Sequence, residues 1–424
     1  MWALLCAAGV ATRVWATAAG LEGWDGADFA LALREYDLAK QQPHFPGYPV
    51  YVALARAARA TVARDDVAAL ALPGALAAGV GAVAAHALGG IGAALLVILA
   101  PGLWLLGGKA LSDGTALGLL LVVFALARAR PGASGLAAGL LLGVRLAYLP
   151  ALAGWLWLVR ARWRRALGGL ALGAALWLAP LATIVGPVEL ARIGLHFTSG
   201  HFERWGGAVG YGSLGARAAA HGWSLGTWHL GMGLSPARLV ASVALIVAIG
   251  LALRRRDPRS RAALACAAPY ALWALLAQNP DRPRHMAPLA AAVAVAAGPT
   301  IVPALVAASA MAVVALPLVR EQRKAKSPDA ALARFVAARY PLRTRVYGWE
   351  EVRLFAVYGP RIEARRAYSL DEITPGDGVV LFTSSLRDKR RDRHCFEPVA
   401  TFRGSAAVFH PHESLTLFRY CGLR

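Results

Sequence analysis

Charged residues are scarce in this sequence, and acidic ones are the scarcest. Only 16% of the 424 residues are charged, with 24 Asp and Glu against 45 Lys and Arg, while 58% are hydrophobic. So apolar a composition excludes intrinsic disorder and is not that of an ordinary soluble globular protein. The net charge of +21 would suit a nucleic acid if the cations lined one face, or a membrane protein if they collected in short loops on one side.

Cysteine is also rare, with four residues and no C-x-x-C spacing, which excludes the common zinc sites. Cys6 and Cys266 lie in apolar stretches, where we predict that they pack as small hydrophobic residues. Cys395 and Cys421 lie in a polar C-terminal segment. An oxidising compartment would permit a disulfide there, and two free thiols are the alternative, because spacing alone does not decide.

Long apolar runs are abundant, and a membrane-spanning helix needs about 20 apolar residues. The candidate spans are residues 2–20, 67–87, 90–108, 114–128, 133–145, 147–159, 166–186, 236–253, 261–278, 284–299 and 301–319. The pair 133–145 and 147–159 is short enough to be one kinked span instead. The first run lacks the basic start and the cleavage site of a signal peptide, so we expect it to remain as an anchor. The sequence therefore predicts about eleven transmembrane helices.

Eleven arginines in three linkers define the predicted orientation. They are Arg128 and Arg130; Arg160, Arg162, Arg164 and Arg165; and Arg254, Arg255, Arg256, Arg259 and Arg261. With these spans, all three linkers face the side of the N-terminus, which the positive-inside rule identifies as cytoplasmic. Of the 12 acidic residues before residue 320, only Asp257 falls on that side. The positive charge thus indicates membrane topology, and we expect no nucleic-acid partner.

The C-terminal segment, residues 320–424, differs in character, with 20 basic and 12 acidic residues and no long apolar run. A helix is predicted near residues 329–338, and β-like stretches occur at 345–347, 378–383, 406–410 and 414–420. We therefore predict two domains: a membrane domain of residues 1–319 and a small α+β domain of residues 320–424 outside the cytoplasm.

The first outer loop carries two carboxylates, Asp25 and Asp28, at a predicted helix start. One of them could cap the helix, because a carboxylate there accepts orphan backbone N–H groups. The alternative is a general base at the membrane surface, acting on a hydroxyl acceptor within hydrogen-bond reach. The run Pro-Gly-Tyr-Pro at 46–49 predicts a turn followed by a helix over residues 50–64, whose arginines favour a position in the outer interface.

Other polar residues stand at predicted outer span ends. Asp113, beside Ser112, either caps a helix or faces a cavity. Arg145 interrupts an apolar run, so it faces a polar partner or extends to the surface. Arg282 and Arg284 would bind a phosphate if they point inward. The alternative is that they belong to a solvated loop. The histidine-rich loop 187–235 shows no tight metal spacing, and we predict no metal ligands.

The first loop resembles the GT-C glycosyltransferases, polytopic enzymes that take a sugar from a polyprenyl-phosphate carrier. Residues 25–29 (Asp-Gly-Ala-Asp-Phe) and 44–51 (His-Phe-Pro-Gly-Tyr-Pro-Val-Tyr) are similar to the DUF2723 type, which has an acid-x-x-acid-Phe step and then a His-Pro-Pro-Gly-x-Pro-Leu-like run. Phe45 stands in place of the first proline. Asp113 falls where many members have a second acid, and residues 282–288 resemble their late Arg-x-x-x-x-Pro motif.

The resemblance implies a GT-C-like α-helical polytopic fold in the bacterial inner membrane, with a cytoplasmic N-terminus and an extracytoplasmic C-terminal domain. It implies transfer of a hexosyl or pentosyl group from a polyprenyl-phosphate-linked donor to a hydroxyl of a protein, lipid or glycan acceptor. The candidate catalytic residues are Asp25 as first choice of general base, Asp28 and Asp113. The candidate substrate-binding residues are His44, Tyr48, Lys109, Arg145, Arg282, Arg284 and His285. No cofactor is certain, and the resemblance leaves room for a divalent metal.

Two other classes compete with this interpretation. A transporter or flippase of a lipid-linked or anionic substrate would show internal repeats and ionisable residues near the midplane. We find no convincing repeat, and the acids cluster at outer span ends. A polymerase or ligase of surface polysaccharide would depend on Arg and His of a late outer loop instead of the first loop.

Overall fold

The computed structural model describes residues 1–205, 213–340, 343–374, 378–386, 394–405, 407 and 414–423. The helices in chain order are α1 (Trp2–Trp15), α2 (Gly23–Ala32), α3 (Pro49–Thr61), α4 (Asp66–Leu99), α5 (Pro101–Gly107), α6 (Ser112–Leu126), α7 (Pro131–Val144), α8 (Ala151–Val159), α9 (Trp163–Val185), α10 (Pro187–Gly200), α11 (Leu214–Trp223), α12 (Pro236–Arg254), α13 (Pro258–Ala277), α14 (Ala287–Ala297), α15 (Ile301–Gln322), α16 (Pro328–Arg339) and α17 (Phe355–Tyr358). The strands are β1 (Arg345–Gly348), β2 (Glu363–Arg366), β3 (Val380–Thr383), β4 (His394–Arg403) and β5 (Ser414–Leu423).

Fewer helices could cross a membrane than the sequence predicts. Among the described residues, five helical segments are long and apolar enough. They are Asp66–Leu99, Ala151–Val185 (α8 and α9 taken together), Pro236–Arg254, Pro258–Ala277 and Ile301–Gln322. A sixth is added if α5 and α6, which meet at 113°, form one broken span. Helices α1 and α7 are apolar but shorter. The predicted number of about eleven is therefore not confirmed, because apolar runs such as 90–108 are divided between separate helices.

Helices α7 and α9 approach closely through small residues. A Cβ atom on Gly139 would meet the α9 backbone at Leu170 and Gly173, and one on Gly173 would meet the α7 backbone at Leu136. In a lipid bilayer the hydrophobic effect does not drive helices together, and close van der Waals packing of this kind holds them instead. Gly168, by contrast, has open space around it. The close approach of α7 to α9 fixes the end of α7, where Arg145 follows.

Arg13, the charged residue inside the first predicted span, is buried at the C-terminal end of α4. Its Nη1 donates to the carbonyl oxygen of Ile98 at 2.6 Å, and Nη2 donates to that of Val97 at 2.8 Å. The last carbonyls of a helix have no intrahelical partner and carry the negative end of the helix dipole. The guanidinium therefore caps α4 and joins it to α1.

The chain forms two compact units. The first unit contains Met1–Thr17 and Phe45–Arg320, and the second contains Ala18–His44 and Glu321–Arg424. The predicted domain division at residues 319 and 320 stays a prediction. A feature that the sequence did not reveal is that α2 packs with the C-terminal part of the chain.

The second unit is built on a mixed sheet with the strand order β2-β1-β3-β5-β4. Strand β1 is parallel to β2 and β3, while β5 is antiparallel to β3 and β4. Phe382 stacks on Phe418 with ring centroids 5.2 Å apart in the core of this sheet. Cys395 and Cys421 form a disulfide between β4 and β5, so the alternative of two free thiols is wrong.

The predicted elements of the C-terminal segment are largely present. Helix α16 matches the helix predicted near residues 329–338, and β1, β3 and β5 match three of the four predicted strands. The fourth, 406–410, lies outside the described residues except for Ala407. Strands β2 and β4 were not predicted, because β2 has only four residues, mostly charged, and a proline interrupts β4.

Candidate active site

Asp113 is the centre of a buried polar group in the first unit. Helix α6 begins at Ser112, and its N-cap residue is Leu111, which makes no side-chain cap. The interpretation of Ser112 or Asp113 as the cap is therefore wrong. The Asp113 carboxylate lies instead in the interior of the unit, where its residue is completely buried. A buried carboxylate of this kind needs cationic partners to offset its desolvation.

Arg145 supplies one cationic partner. Helix α7 ends at Val144, and the extended backbone of Arg145 carries its side chain out of the helix path. Its Nη1 lies 3.1 Å from Oδ2 of Asp113 and donates to Oγ of Ser112 at 3.2 Å. Arg145 is 5% exposed, so it does not extend to the surface but faces a polar partner.

Arg284 brings a second guanidinium to the same carboxylate, with Nε 3.9 Å from Oδ2 of Asp113. Lys109 lies in the sharp corner between α5 and α6 and is 3% exposed. With two guanidinium groups and one carboxylate, the formal charge of Arg145, Arg284 and Asp113 is +1. A group with that charge in a low-dielectric interior attracts an anion strongly, and two guanidinium forks suit a phosphate.

The short helical turn Pro283–Met286, which carries Arg284, is held by hydrogen bonds to its backbone. His229 donates from Nε2 to the Pro283 carbonyl oxygen at 2.8 Å, and the Tyr270 hydroxyl donates to the His285 carbonyl oxygen at 2.9 Å. Burial lowers the pKa of His229 to about 4, so its ring is neutral near pH 7. His229 was not predicted as a site residue.

The other predicted residues of this turn serve it in different ways. His285 is buried, and its Nδ1 lies 3.2 Å from the Asn279 carbonyl oxygen, so it packs within the turn. Arg282 is half-buried just before the turn.

Tyr48 is buried and has a left-handed backbone at the N-cap of α3, which starts at Pro49. The helix predicted over residues 50–64 is thus confirmed with a slightly shorter extent.

Several buried polar atoms of this group make no hydrogen bond within the described part of the chain. They include both carboxylate oxygens of Asp113, of which Oδ2 is ion-paired with Arg145, and the hydroxyl of Tyr148. The Tyr148 ring packs edge-on against Tyr270, with centroids 5.6 Å apart. Buried polar atoms in native proteins are nearly always satisfied, so unsatisfied ones beside a cationic group indicate a position for a polar ligand or for water.

A second buried carboxylate, Asp28, belongs to the second unit. Its Oδ1 accepts from Nε of Arg353 at 2.7 Å, and its Oδ2 lies 2.9 Å from Nδ1 of His44. Arg353 also donates to the carbonyl oxygens of Lys40 and Gln41. Burial raises the pKa of Asp28, while the bonds to His44 and Arg353 oppose that shift. Asp28 therefore holds the first loop to the C-terminal segment.

Asp25 lies three residues earlier, in the first turn of α2, and is half-buried. The N-cap residue of α2 is Glu22, so neither aspartate occupies the cap position predicted as the alternative. Oδ2 of Asp329 accepts from the backbone N–H of Gly23 at 2.9 Å and satisfies the start of the helix. Asp25 is consequently more accessible than Asp28 to an incoming group.

Arginine and aromatic side chains surround the start of α2. The guanidinium carbons of Arg353 and Arg366 lie 5.5 and 5.1 Å from the ring centroid of Trp24. Arg366 also lies 3.9 Å from the ring centroid of Trp349. These cation–π contacts fix the residue next to Asp25. Arg353 has no sequence signal as a site residue, because its partner is 325 positions away in the chain.

A metal site is not formed by the residues that the structure describes. Among them, no group of three or more His, Cys, Asp or Glu side chains could hold a metal ion. His201, one of the histidines in the aromatic loop, lies with Nε2 2.9 Å from the Ala277 carbonyl oxygen.

The fold defines a class of α-helical proteins with several apolar helices long enough to cross a membrane and a small C-terminal α+β part. Within this class, the fold of the chain is similar to that of ArnT from Cupriavidus metallidurans. The crystal structure of that protein in the apo state superposes with a TM-score of 0.60 at 15% identity, covering 99% of this chain and 97% of that one. The structure of the same protein bound to undecaprenyl phosphate gives 0.57 at 13% identity, covering 98% and 97%.

Sequence comparison adds no relative to this structural likeness. No protein-family model matches the chain, and no curated protein matches it by sequence. At 13–15% identity the likeness shows the fold alone. It confirms the fold class predicted from the first loop, while the number of transmembrane helices is not confirmed.

Proposed function

We propose that this protein is a membrane glycosyltransferase that moves a sugar from a polyprenyl-phosphate carrier to a hydroxyl acceptor. The observation that carries the proposal is the group of buried Asp113, buried Arg145 and half-buried Arg284, which has a net positive charge. Its support from comparison is the shared fold with ArnT, which has been crystallised bound to undecaprenyl phosphate.

The cations act on the leaving group. When the bond between the sugar and the phosphate breaks, negative charge grows on the phosphate oxygens. Arg145, Arg284 and Lys109 stabilise that charge, because they are already oriented in a low-dielectric interior. Asp113 orients Arg145 and offsets part of the positive charge before the donor binds. The transition state has the oxocarbenium character that glycosyl transfer generally shows.

The acceptor hydroxyl needs a base, and Asp25 is the first choice. A general base must reach the proton that it removes, at about 2.6–3.2 Å between heavy atoms. Asp28 already uses both carboxylate oxygens, towards His44 and Arg353, whereas Asp25 is half-buried in the first turn of α2. His44 acts through Asp28 in this scheme, and Tyr48, Arg282 and His285 are proposed to border the substrate.

The remaining assignments follow from the sequence. We place the protein in a bacterial inner membrane, with the arginine-rich linkers and the N-terminus in the cytoplasm and residues 320–424 outside. Residues 1–319 are proposed as the catalytic membrane domain. The donor sugar is a hexose or pentose, and the acceptor is a protein, lipid or glycan.

A panel of polyprenyl-phosphate sugars tests the proposal. The purified protein in lipid nanodiscs is incubated with each donor and with a membrane extract as the source of hydroxyl acceptors, and the release of polyprenyl phosphate is measured. Release with at least one donor, reduced about 100-fold or more in Arg284→Gln, supports the proposal. The exposed linker variant Arg261→Gln is the control with the same charge change and should match wild type. Movement of intact donor across the bilayer without release would identify a flippase instead.

A further inference from the structure

A pocket lies in the first unit and extends from Tyr270 to the arginine-rich linkers. It has a volume of about 370 Å³ and is formed by α4, α6, α8, α13 and α14. That volume is within the range of ligand pockets, about 300–1,000 Å³. Helix α13 contributes one wall, from Pro258 to Tyr270, which is about 18 Å of helix at 1.5 Å per residue.

The lining of this pocket is apolar except at the helix ends. Leu120, Phe124 and Val295 are typical wall residues, together with several alanines. The charged lining residues are Arg128, just beyond the end of α6, and Arg259, in the first turn of α13. Both are exposed, and neither forms an ion pair within the described part of the chain. The pocket therefore combines an apolar interior with two cations at the ends of its wall helices.

The charged end of the pocket is distinct from the proposed donor site, although Tyr270 lines the pocket and also packs against Tyr148. Asp113 lies in the first turn of α6, and Arg128 lies 15 residues later, about 22 Å along the helix axis. The cations of the donor site and those of this pocket are thus at opposite ends of α6. One phosphate cannot contact both.

We propose that this pocket binds an anionic phospholipid of the leaflet that faces the arginine-rich linkers. The acyl chains occupy the apolar interior, and the phosphate contacts Arg128 and Arg259. A soluble anion would gain nothing from the apolar walls, and a neutral lipid would gain nothing from the cations. Basic pockets between transmembrane helices recognise anionic headgroups by this combination.

Photo-crosslinking of the full chain in nanodiscs tests the proposal. The probes are phosphatidylglycerol and phosphatidylcholine with a diazirine in one acyl chain, and mass spectrometry maps the adducts. We expect phosphatidylglycerol adducts on the α13 wall between Ala262 and Tyr270. Each arginine near a headgroup favours binding about fivefold, so Arg128→Ser/Arg259→Ser should weaken phosphatidylglycerol binding about 25-fold.

Matched controls separate the pocket from general attraction to the membrane. Arg130→Ser/Arg261→Ser removes the same charge from the same two linkers but does not line the pocket, and it should bind like wild type. Ala267→Phe fills the pocket and should abolish the α13 adducts while the arginines remain.

Three results would overturn the proposal. Equal labelling by both lipids would show that the cations recognise no headgroup. Equal loss in the two double variants would show attraction to the surface alone. Undecaprenyl phosphate is also tested as a competitor of phosphatidylglycerol. If it competes equally well in wild type and in Arg128→Ser/Arg259→Ser, the pocket binds the tail of a polyprenyl lipid instead. Lipid binding is measured without sugar transfer, so failure of the proposed enzymatic function leaves this test intact.

Discussion

Nη1 of Arg145 lies 3.1 Å from Oδ2 of Asp113, and both side chains are almost entirely buried. The two residues come from the end of α7 and the start of α6, so packing of these helices assembles the pair. Removing one partner of a buried ion pair leaves an uncompensated charge, which costs about 3–5 kcal/mol. The pair is therefore both a structural element and the basis of the proposed phosphate site.

Removal of the Asp113 charge alone should destabilise the protein more than removal of the Asp113 and Arg145 charges together. We expect Asp113→Asn to lower the apparent melting temperature in detergent, and Asp113→Asn/Arg145→Gln to recover part of that loss. The reason is that the double variant leaves fewer unpaired charges in the interior. Strictly additive melting shifts of the two single variants would show that the side chains do not interact.

Arg284 should affect the reaction more than the fold, because it is farther from Asp113 than Arg145 is. We expect Arg284→Gln to lower kcat about 100-fold, and Arg284→Lys to keep part of the rate, since lysine retains charge but not the planar fork. The comparison is made at saturating donor. Identical rates for the lysine and glutamine variants would argue against a charge-based role.

The pair of Asp28 and Arg353 should be structural. We expect Arg353→Met to destabilise the second unit by about 3–5 kcal/mol, because Asp28 would keep a buried charge without its guanidinium partner. Hydrogen exchange of α2 reports the loss locally. The control is Arg365→Met, which breaks the exposed pair with Glu363 and should cost about 0–1 kcal/mol. Equal protection of the α2 amides from hydrogen exchange in both variants would contradict a structural role for the pair of Asp28 and Arg353.

His229 should make stability depend on pH. Its folded pKa of about 4 lies below the ordinary histidine pKa of about 6.5, so the unfolded state binds more protons between these values. The stability from the neutral ring is fully present above pH 6.5 and is lost as pH falls towards 4, by about 3 kcal/mol. His229→Gln keeps a donor but does not titrate, so its melting temperature should fall less on acidification. The exposed His196→Gln is the control and should follow wild type.

Much of the architecture follows from local sequence signals. The proline-rich run at 46–49 marks the start of α3, and the serine and proline at 327–328 mark the start of α16, where Ser327 caps the helix. The number of membrane-spanning helices could not be predicted from the sequence, because apolar composition does not reveal where a helix breaks. Ala100, for example, has an extended backbone between two apolar helices.

The two polar groups differ in how far the sequence revealed them. Asp113, Arg145 and Arg284 were predicted because a charge at the end of an apolar run is costly and needs a partner. Arg353 and His229 were missed, because each acts on a residue far away in the chain and neither interrupts an apolar run. The sequence also could not separate Asp25 from Asp28, since only the fold shows that Arg353 and His44 engage Asp28.

The most direct test compares wild type with Asp25→Asn in single-turnover release of polyprenyl phosphate from a bound polyprenyl-phosphate sugar, with a membrane extract added as the source of hydroxyl acceptors. Donor binding is measured in parallel, and the melting temperature verifies that the variant is folded. We predict that wild type releases polyprenyl phosphate, and that Asp25→Asn binds donor equally well but releases it about 10²–10⁴-fold more slowly. Release by Asp25→Asn at the wild-type rate would contradict the assignment of the base, and no release by wild type from any donor would contradict the proposed function.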